Sequence, residues 1–304
     1  MDKSKLKWVY LLFLSVIWGS SYILIKKGLV GLSPVQLGSL RILFSAIFLF
    51  CIGFKTAFSL TFVQWKWVAL SAFCGVFAPA YLFAFAEKEI DSNIAAILNS
   101  LVPLFTILIG FVGFKIRFKG NQLIGVIIGL LGAVLLIVQG ARLNPGQNYF
   151  YSLFVILAAF LYATNANVIK SKLQNVSVRA MSVGSFMVIA IPALVILICT
   201  GFLDSNNFTQ PKLVDSLIYV AILGVVGTGV TIIVFNRLIQ ITSPVFSTSV
   251  TYLAPVVGIL WGVLDGEKFG VFHLGATVVI LLGVYGVNSN RRNKKEIPQP
   301  DPLD

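Results

Sequence analysis

The sequence predicts an all-α membrane protein with ten transmembrane helices, arranged as two inverted repeats of five helices each. Three observations predict this fold: a composition too apolar for a soluble protein, ten apolar runs of membrane-spanning length, and a partial match between the two halves of the chain. Only 11% of the 304 residues are charged and 58% are hydrophobic, whereas soluble domains carry about 25% charged residues. A soluble core cannot hold so many apolar side chains, so we expect the chain to lie in a membrane.

Ten apolar runs, numbered spans 1 to 10, have the length that a membrane helix requires. Crossing the hydrocarbon layer takes about 20 helical residues at a rise of about 1.5 Å each. The connections between the runs are short, which favours a single helical bundle over separate domains. The runs cover residues 7–26, 35–54, 66–86, 92–114, 121–140, 149–170, 178–201, 213–236, 244–264 and 270–289.

The lysines and arginines between the spans predict which side of the membrane each connection faces. Cytoplasmic loops carry the excess of basic residues, and this excess appears if the N-terminus is cytoplasmic. The smaller, outward-facing group then comprises Lys26, Lys27, Lys88, Arg142, Lys212 and Lys268. Both termini are therefore predicted to be cytoplasmic, and residues 290–304 form a basic tail that we expect to be disordered. The net charge of +12 follows from this orientation and does not indicate nucleic-acid binding.

Partial self-similarity predicts that the chain arose by duplication. Residues 18–26 align with residues 162–170 at an offset of 144, and Asn99–Pro103 aligns with Thr251–Pro255 at an offset of 152. Two single-residue matches at the same offset of 152 pair Gly75 with Gly227 and Phe83 with Phe235. The matches keep their order along the two halves, which a chance similarity would rarely do.

The duplication predicts two repeats of opposite orientation, covering residues 1–145 and 146–289. Each repeat holds five spans, and an odd number of spans makes the second repeat enter the membrane from the opposite side. Inverted repeats of this kind are typical of secondary transporters, in which the substrate site lies near the midplane between the repeats. The sequence therefore predicts a central site that opens alternately to each side.

Polar and aromatic residues in spans 1 and 6 suggest where that site lies. Trp18 and Tyr22 are four residues apart on one helical face, with Ser21 beside them. Such residues either pack helices together, as Gly19 is suited to do, or line a polar cavity, because an unbonded Asn is costly at membrane depth. The predicted substrate-binding residues are Trp18, Ser21, Tyr22, Tyr81, Asn99, Ser100, Tyr162, Asn165, Thr251 and Tyr252.

Three further residues are predicted to act in hinges or gates. Pro103 and Pro255 occupy equivalent places within spans 4 and 9, and a proline inside a helix removes a backbone hydrogen bond and kinks it. A static kink that serves packing is the alternative. Arg41 lies within span 2, where a charged side chain is costly. It either anchors the helix or contacts the substrate or a gate.

No acidic residue lies deep within a predicted span, and five acids lie at the predicted outer ends of spans, where Lys26 and Lys27 are expected to extend into water. These acids are Glu87, Glu89, Asp91, Asp265 and Glu267. Carriers that couple transport to protons use a titratable group buried in the membrane. The sequence therefore predicts facilitated diffusion or exchange, with weak or no obligatory proton coupling through a buried carboxylate.

Motifs spread over nearly the whole chain resemble those of a known transporter family. They comprise Trp18-Gly19-Ser20-Ser21, Arg41, Ala95-Ala96, Leu101-Val102-Pro103, Gly125, Gly129, Gly132, Leu253-Ala254-Pro255, Gly258, Gly266-Glu267, Gly275 and Gly283. The chain thereby resembles the EamA branch of the drug/metabolite transporter superfamily. This resemblance implies ten helices in two inverted repeats and transport of small metabolites, commonly efflux of amino acids or related compounds. The family often has an acidic residue after span 4 and after span 9; Glu267 fits the second place, but Lys115 stands at the first.

The expected function is secondary transport of a small neutral or zwitterionic metabolite, such as an amino acid, by efflux or exchange with alternating access. A membrane sensor or scaffold is one alternative, and an intramembrane enzyme is another. With one histidine, His273, and no deep acid, metal and carboxylate catalysis lack their residues. We expect no enzymatic activity, cofactor or metal. The expected partners are the substrate and the lipid bilayer of a bacterial inner membrane, without nucleic acid, and the chain is expected to act as a monomer.

Overall fold

The computed structural model describes residues 3–114, 120–203, 211–268 and 270–289, and within these ranges it is helical, with no strand. The predicted tail at 290–304 lies outside the described residues, as do Lys115, Arg117 and Lys119. Among the described residues, eight helices are long and apolar enough to cross a membrane: Lys5–Gly28, Pro34–Ser59, Phe62–Glu89, Ser92–Gly113, Tyr149–Lys172, Val178–Cys199, Leu213–Ile241 and Pro244–Leu264.

Spans 5 and 10 are the helices Gly120–Leu143 and Val271–Ser289. They contain the shorter apolar stretches Ile127–Val138 and Val271–Leu282. Together with the eight longer helices they give the predicted ten, so the all-α fold with ten membrane helices is confirmed. Large apolar side chains cover the outside of the bundle, as lipid contact requires; Phe62 is 91% exposed and Val271 is 82% exposed.

Two of the helices begin with reciprocal capping bonds between side chain and backbone. At the start of span 2, Ser33 Oγ accepts a hydrogen bond from the Gln36 N–H, and Gln36 Oε1 accepts one from the Ser33 N–H. Thr61 and Gln64 form the same pair at the start of span 3. These bonds satisfy backbone donors that the first helical turn leaves without partners. Short connections can therefore lead directly into long apolar helices.

Irregular backbone interrupts the same spans in both halves of the chain. Span 3 contains a π-helical turn at Phe73–Phe77, and span 8 contains one at Val225–Val230. The two turns begin 152 residues apart, which is the offset of the sequence alignment. Span 4 is broken by a 3₁₀ turn at Asn99–Leu101, and span 9 is broken at Ser249. π turns within α-helices are frequent at functional sites, and no sequence pattern predicted the two turns.

Helix packing follows the pattern of a pseudo-two-fold axis. Span 1 packs on span 9, and span 6 packs on span 4, so exchanging the halves converts one pair into the other. Span 2 packs on span 7 and span 5 on span 10, and these pairs map onto themselves. Because each half has five spans and successive spans alternate in direction, the second half runs opposite to the first. The repeat boundaries at 145 and 146 stay a prediction.

Two close contacts between the halves obey the same relation. A Cβ added to Gly75 would lie 2.3 Å from Asn165 Nδ2, and one added to Gly227 would lie 3.1 Å from Ser21 Oγ. Ser21 aligns with Asn165, and Gly75 aligns with Gly227. The π turns of spans 3 and 8 therefore pack on equivalent positions of spans 6 and 1. This packing brings seven spans around the centre of the bundle.

Candidate functional site

A cavity with an empty volume of about 570 Å³ lies between spans 1, 2, 3, 4, 6, 8 and 9. Both halves of the chain contribute to its wall. The lining residues are Trp18, Ser21, Tyr22, Ile25, Arg41, Phe83, Asn99, Val102, Tyr162, Phe235, Thr248 and Thr251. Six of the ten predicted binding residues are among them, so the sequence pattern located the cavity. That these residues bind a substrate stays a prediction.

Span 1 presents one face to the cavity, because Trp18, Ser21, Tyr22 and Ile25 recur at helical spacing. The Trp18 indole is fixed on its far side by a hydrogen bond from Nε1 to Thr231 Oγ1 of 3.1 Å. Its ring also meets the Phe235 ring edge to face, with centroids 4.9 Å apart. Trp18 thus forms a rigid aromatic wall that both repeats build.

Tyr22 and Asn99 form the polar centre of this wall. Tyr22 is 4% exposed, and its hydroxyl accepts a hydrogen bond of 2.9 Å from Asn99 Nδ2. Asn99 Oδ1 is buried and has no hydrogen-bond partner among the described residues. Phe83 lies between two tyrosines, with its ring 5.9 Å from that of Tyr22 and 6.1 Å from that of Tyr162. An acceptor without a partner among the described residues, Asn99 Oδ1, therefore belongs to a residue that lines this aromatic cavity.

Arg41 is the charged residue among the cavity-lining residues that the structure describes. It is 8% exposed, and its Nε donates a hydrogen bond of 2.8 Å to Thr228 Oγ1 in the π turn of span 8. Thr228 Oγ1 in turn donates to the Leu223 carbonyl at 3.1 Å. The guanidinium is therefore held from behind by the second repeat while it faces the cavity. Arg41 thus makes a structural bond and lies on the cavity wall, while its role in substrate binding or gating stays a prediction.

Four predicted binding residues lie away from the cavity, and the prediction is corrected for each. Tyr81 is bonded through its hydroxyl to Ser39 Oγ at 2.9 Å and packs on Gly38. Ser100 donates to the Ile97 carbonyl at 2.6 Å within its own helix. Both hydroxyls have their hydrogen-bond partners outside the cavity. Ser100 follows the lining residue Asn99 in sequence, but it is not itself a lining residue.

Asn165 and Tyr252 are the other two corrections. Asn165 Oδ1 accepts a hydrogen bond of 2.6 Å from Ser71 Oγ, which ties span 6 to span 3. Tyr252 packs against the main hydrophobic core of the bundle. The polar stretch of span 6 therefore contributes Tyr162 to the cavity and otherwise joins helices. Asn167 joins them as well, since its Nδ2 donates to the Thr106 carbonyl of span 4 at 3.0 Å.

Six lining residues were not among the predicted binding residues: Arg41, which was predicted to act in a hinge or gate, and Ile25, Val102, Phe83, Phe235 and Thr248. The sequence could not have indicated that Ile25 and Val102 line the cavity, because such aliphatic side chains are also typical of lipid-facing positions. Phe83 and Phe235 did carry a sequence signal, since they occupy equivalent places in the two repeats. The alignment of the two halves already paired these phenylalanines, but it did not assign them to the site.

The two prolines lie next to cavity residues. Pro103 is the second residue of the helix Val102–Phe114, and Pro255 lies inside the helix Val250–Leu264. A proline cannot donate to the carbonyl four residues earlier, which belongs to Asn99 in span 4 and to Thr251 in span 9. Both of those residues line the cavity. The helix breaks thus coincide with the site, while the hinge role stays a prediction.

The end of span 1 forms a half-buried ionic cluster with the connection between spans 9 and 10. This Lys26 cluster comprises Lys26, Lys27, Asp265 and Glu267. Lys26 Nζ lies 2.8 Å from both Asp265 Oδ2 and Glu267 Oε1, and Lys27 pairs with Asp265. The lysines were expected to extend into water; their side chains stay 32% and 40% exposed, but both are paired with acids. The ion pairs instead join the first repeat to the second.

Glu267 is the centre of the Lys26 cluster. Its Oε1 also accepts hydrogen bonds from the Ser92 N–H at 3.0 Å and the Ser92 hydroxyl at 2.7 Å, and its Oε2 accepts one from the Asn93 N–H at 3.0 Å. Glu267 thereby binds the first backbone donors of span 4. Burial alone would raise the pKa of Asp265, but its bonds to Lys26 and Lys27 outweigh burial and lower that pKa.

The structure also corrects the expectation that no carboxylate is buried. Glu87 lies near the end of span 3, as predicted, but its side chain is only 6% exposed. Neither of its carboxyl oxygens has a hydrogen-bond partner among the described residues. His273, near the start of span 10, is also fully buried. Sequence position at a helix end therefore did not mean exposure to water, because neighbouring connections cover this end of the bundle.

Comparison with known proteins identifies the kind of molecule to which this cavity belongs. The model of the EamA-like transporter family matches residues 6–138 and 150–289. The two matched segments fall one in each half of the chain, as the duplication predicts. The probable amino-acid metabolite efflux pump of Escherichia coli strain K12 is 27% identical over 292 residues, which cover 91% of this chain and 93% of that protein.

Two further relatives and one solved structure extend the comparison. The uncharacterized inner membrane transporter YedA of Escherichia coli strain K12 is 27% identical over 284 residues, covering 90% of this chain and 89% of the relative. The uncharacterized transporter YoaV of Bacillus subtilis strain 168 is 26% identical over 275 residues, covering 88% and 89%. A crystal structure with 15% identity matches at a TM-score of 0.66, covering 95% of this chain and 98% of that chain. At that identity it supports the fold alone.

Proposed function

Since the chain belongs to the EamA-like transporter family, we propose that it carries a small zwitterionic metabolite, such as an amino acid, through its central cavity. Family membership makes the chain a multi-pass membrane transporter of small molecules and not an enzyme. The observation that carries the substrate class is the pairing, in one cavity, of the Arg41 guanidinium with the unpartnered Asn99 Oδ1. The first is suited to an anionic group and the second to a cationic or neutral donor.

The chemistry of the wall supports a molecule with two charged groups and an apolar part. A carboxylate near Arg41 would gain a charge-assisted hydrogen bond, which is stronger than a neutral one. An ammonium group would donate to Asn99 Oδ1. Apolar side chains, including Phe83 and Phe235, would surround the remainder of the substrate.

Transport would proceed by alternating access between the two repeats, with net efflux or exchange. The charge count predicts that both termini lie on the cytoplasmic side of a bacterial inner membrane. In this orientation the Lys26 cluster lies at the outer side. Its ion pairs join the repeats, so the outer path can open only if Lys26 separates from Asp265 and Glu267. One relative is named as a probable amino-acid metabolite efflux pump, and this supports export. We further propose that a monomer is sufficient, because one chain supplies the whole cavity.

Counterflow into liposomes tests this proposal. Purified protein is reconstituted and loaded with one unlabelled amino acid at a time, and uptake of the same radiolabelled amino acid is followed. A neutral sugar and a dicarboxylate serve as comparison solutes. We expect counterflow with one or more amino acids and none with the sugar. Counterflow of the dicarboxylate alone, or of none of these solutes, would contradict the proposed substrate class.

A pair of variants at Arg41 tests the role of its charge. Arg41→Gln removes the charge and Arg41→Lys keeps it without the planar donors. A hydrogen bond to a charged group is worth about 1.5–3 kcal/mol, so we expect Arg41→Gln to weaken binding of the transported amino acid by about tenfold or more. Arg41→Lys should fall between Arg41→Gln and the unmodified chain. Binding of an amino acid without counterflow in the unmodified chain would favour a sensor over a carrier.

A further inference from the structure

Glu87 is a buried acid whose environment the transport mechanism above does not explain. Its side chain is 6% exposed, and both carboxyl oxygens are without a hydrogen-bond partner in the part of the chain that the structure describes. The acids nearby differ: Asp265 and Glu267 pair with lysines, and Asp91 accepts bonds from Asn144 and Gln147. Buried polar groups in proteins are nearly always bonded. An acid left without partners therefore indicates a role that requires it.

Glu87 lies between the cavity and the Lys26 cluster. On span 3 it follows the cavity-lining Phe83 by one helical turn. On span 1 the cavity-lining Tyr22 precedes Lys26 by one turn in the same way. The charged and titratable groups that act on Glu87 from other elements are Tyr22 and Lys26 of span 1, Arg41 of span 2 and Glu267 of the connection after span 9. Glu87 is thus placed to respond to both sites.

Neither neighbouring cation is bonded to Glu87 in the part of the chain that the structure describes. Lys26 is held by Asp265 and Glu267 at 2.8 Å, and the Nε of Arg41 is held by Thr228 at 2.8 Å. Glu267 also carries a negative charge close to Glu87. An ionised Glu87 would therefore be buried without a bonded partner and would repel Glu267, which is costly in a low-dielectric interior. A proton on Glu87 removes both costs while the Lys26 cluster stays closed.

We propose that Glu87 is a proton-binding site that controls the Lys26 cluster: the cluster closes with a proton on Glu87 and opens when that proton leaves. The proton comes from water and forms an O–H bond with one carboxyl oxygen, and it returns to water when that bond breaks. Ionised Glu87 then competes with Glu267 for Lys26, which weakens the ion pairs that join the repeats. The role of this step in transport rests on the proposed function. It replaces the expectation of transport without a buried acid.

Infrared difference spectroscopy tests proton binding without any substrate. The full chain is placed in lipid nanodiscs and its spectrum is recorded while the pH is raised. We expect the C=O stretch of a buried neutral carboxylic acid, absent from Glu87→Gln and retained in Glu89→Gln, a change two residues away on the same helix. Melting temperatures show whether each variant is folded. Should Glu87→Gln fail to fold, Glu87→Asp is used, and the band should then shift. A spectrum that assigns an ionised carboxylate to Glu87 overturns the proposal.

Proteoliposomes test whether the bound proton matters for transport. The ratio of flux with and without an outside-acid gradient is measured for the amino acid that gives the largest counterflow. A gradient of about one pH unit supplies about a tenfold ratio of proton activity. We expect this gradient to change the flux several-fold in the unmodified chain and in Glu89→Gln, and the ratio to fall to one in Glu87→Gln.

The two readouts separate failure of this inference from failure of the proposed function. If no amino acid is transported, the proposed function fails, and the infrared band still decides whether Glu87 binds a proton. If amino acids are transported but Glu87→Gln responds to the gradient as the unmodified chain does, the inference fails and the transport function stands. A response to a sodium gradient at equal pH that disappears in Glu87→Gln would also overturn it, in favour of a metal cation at this position.

Discussion

At the scale of single residues, neighbours on span 1 serve different surfaces. Gly19 faces span 9 so closely that an added Cβ would lie 2.6 Å from the Ala254 carbonyl oxygen. Ser20 Oγ, the next residue, accepts a hydrogen bond of 3.0 Å from Trp261 Nε1 of the same span. Ser21 and Tyr22 then line the cavity. Since each residue turns the helix by about 100°, a run of four small or polar residues divides between packing and binding.

The hydrogen bond between Tyr22 and Asn99 gives a prediction at the same scale. Tyr22→Phe removes the acceptor of the Asn99 amide, and one neutral hydrogen bond is worth about 0.5–1.5 kcal/mol. We expect binding of the transported amino acid to weaken by roughly three- to tenfold, measured as the half-saturation of counterflow.

Tyr81→Phe is the matched control for Tyr22→Phe. It removes a tyrosine hydroxyl that is bonded to Ser39 away from the cavity. Its half-saturation should equal that of the unmodified chain. Equal weakening in both variants would mean that the effect comes from general loosening of the bundle and not from the cavity.

At the scale of helices, the π turns of spans 3 and 8 determine how the repeats meet. Each turn carries a glycine that packs against the other repeat, Gly75 on Asn165 and Gly227 on Ser21. The alignment already paired these glycines, but it did not predict that the backbone around them widens into a π turn. Local propensity does not favour a π turn. Both turns pack against the other repeat. The sequence of one span does not show which residues of another span will contact it.

Alanine substitutions at the two equivalent glycines should differ in effect. In Gly75→Ala the new Cβ would lie 2.3 Å from Asn165 Nδ2, whereas in Gly227→Ala it would lie 3.1 Å from Ser21 Oγ. Overpacking a filled core costs typically 1–3 kcal/mol, so we expect Gly75→Ala to lower the melting temperature and Gly227→Ala to lower it less. Gly275, where nothing lies within 4 Å, is the control. If Gly275→Ala is as destabilising as Gly75→Ala, the packing argument is wrong.

The Lys26 cluster gives a prediction about pH. Burial raises the pKa of Asp265, but the lysines outweigh it and lower that pKa below its usual value. The folded protein therefore binds this proton less readily than the unfolded chain does. The resulting stability is present above the unfolded pKa of about 4 and is lost as the pH falls through the lower folded value.

Asp265→Asn tests this dependence in thermal unfolding experiments at several pH values. The variant should melt at a lower temperature than the unmodified chain at neutral pH. The difference between the two melting temperatures should shrink in acid, below about pH 4. A difference that stays constant across the whole range would show that the ion pairs with Lys26 and Lys27 do not stabilise the fold.

At the scale of the whole molecule, two repeats of opposite direction surround one cavity. Equivalent spans exchange partners across the pseudo-two-fold axis, with span 1 on span 9 and span 6 on span 4. The side chains have diverged from this symmetry: Ser21 lines the cavity, whereas its equivalent Asn165 bonds to Ser71. The backbone therefore keeps the pseudo-two-fold relation between the repeats, on which alternating access depends. The cavity wall is asymmetric, as binding of one asymmetric solute requires.

Cross-linking across the Lys26 cluster tests whether the repeats must separate there. In a chain whose three cysteines are replaced, new cysteines at positions 26 and 265 are joined by a cleavable thiol cross-linker that spans the two side chains. We expect counterflow to stop and to return when the linker is cleaved. A control pair at Val30 and Ser33, exposed and within one repeat, should have no effect when cross-linked. Full counterflow with the 26–265 link intact would exclude opening at this end.

The amino-acid sequence was enough to predict the membrane class, the ten spans and the duplication, because these depend on apolar length and on matches along the chain. It also located the cavity through Trp18, Ser21 and Tyr22, since a helical face can be read from spacing. Tertiary structure alone decided that Asn165 joins helices, that Lys26 pairs with Glu267 across the repeats, and that Glu87 is buried. The physical reason is that hydrogen bonding and burial depend on which side chains of distant spans lie nearby, and a local sequence pattern does not identify those neighbours.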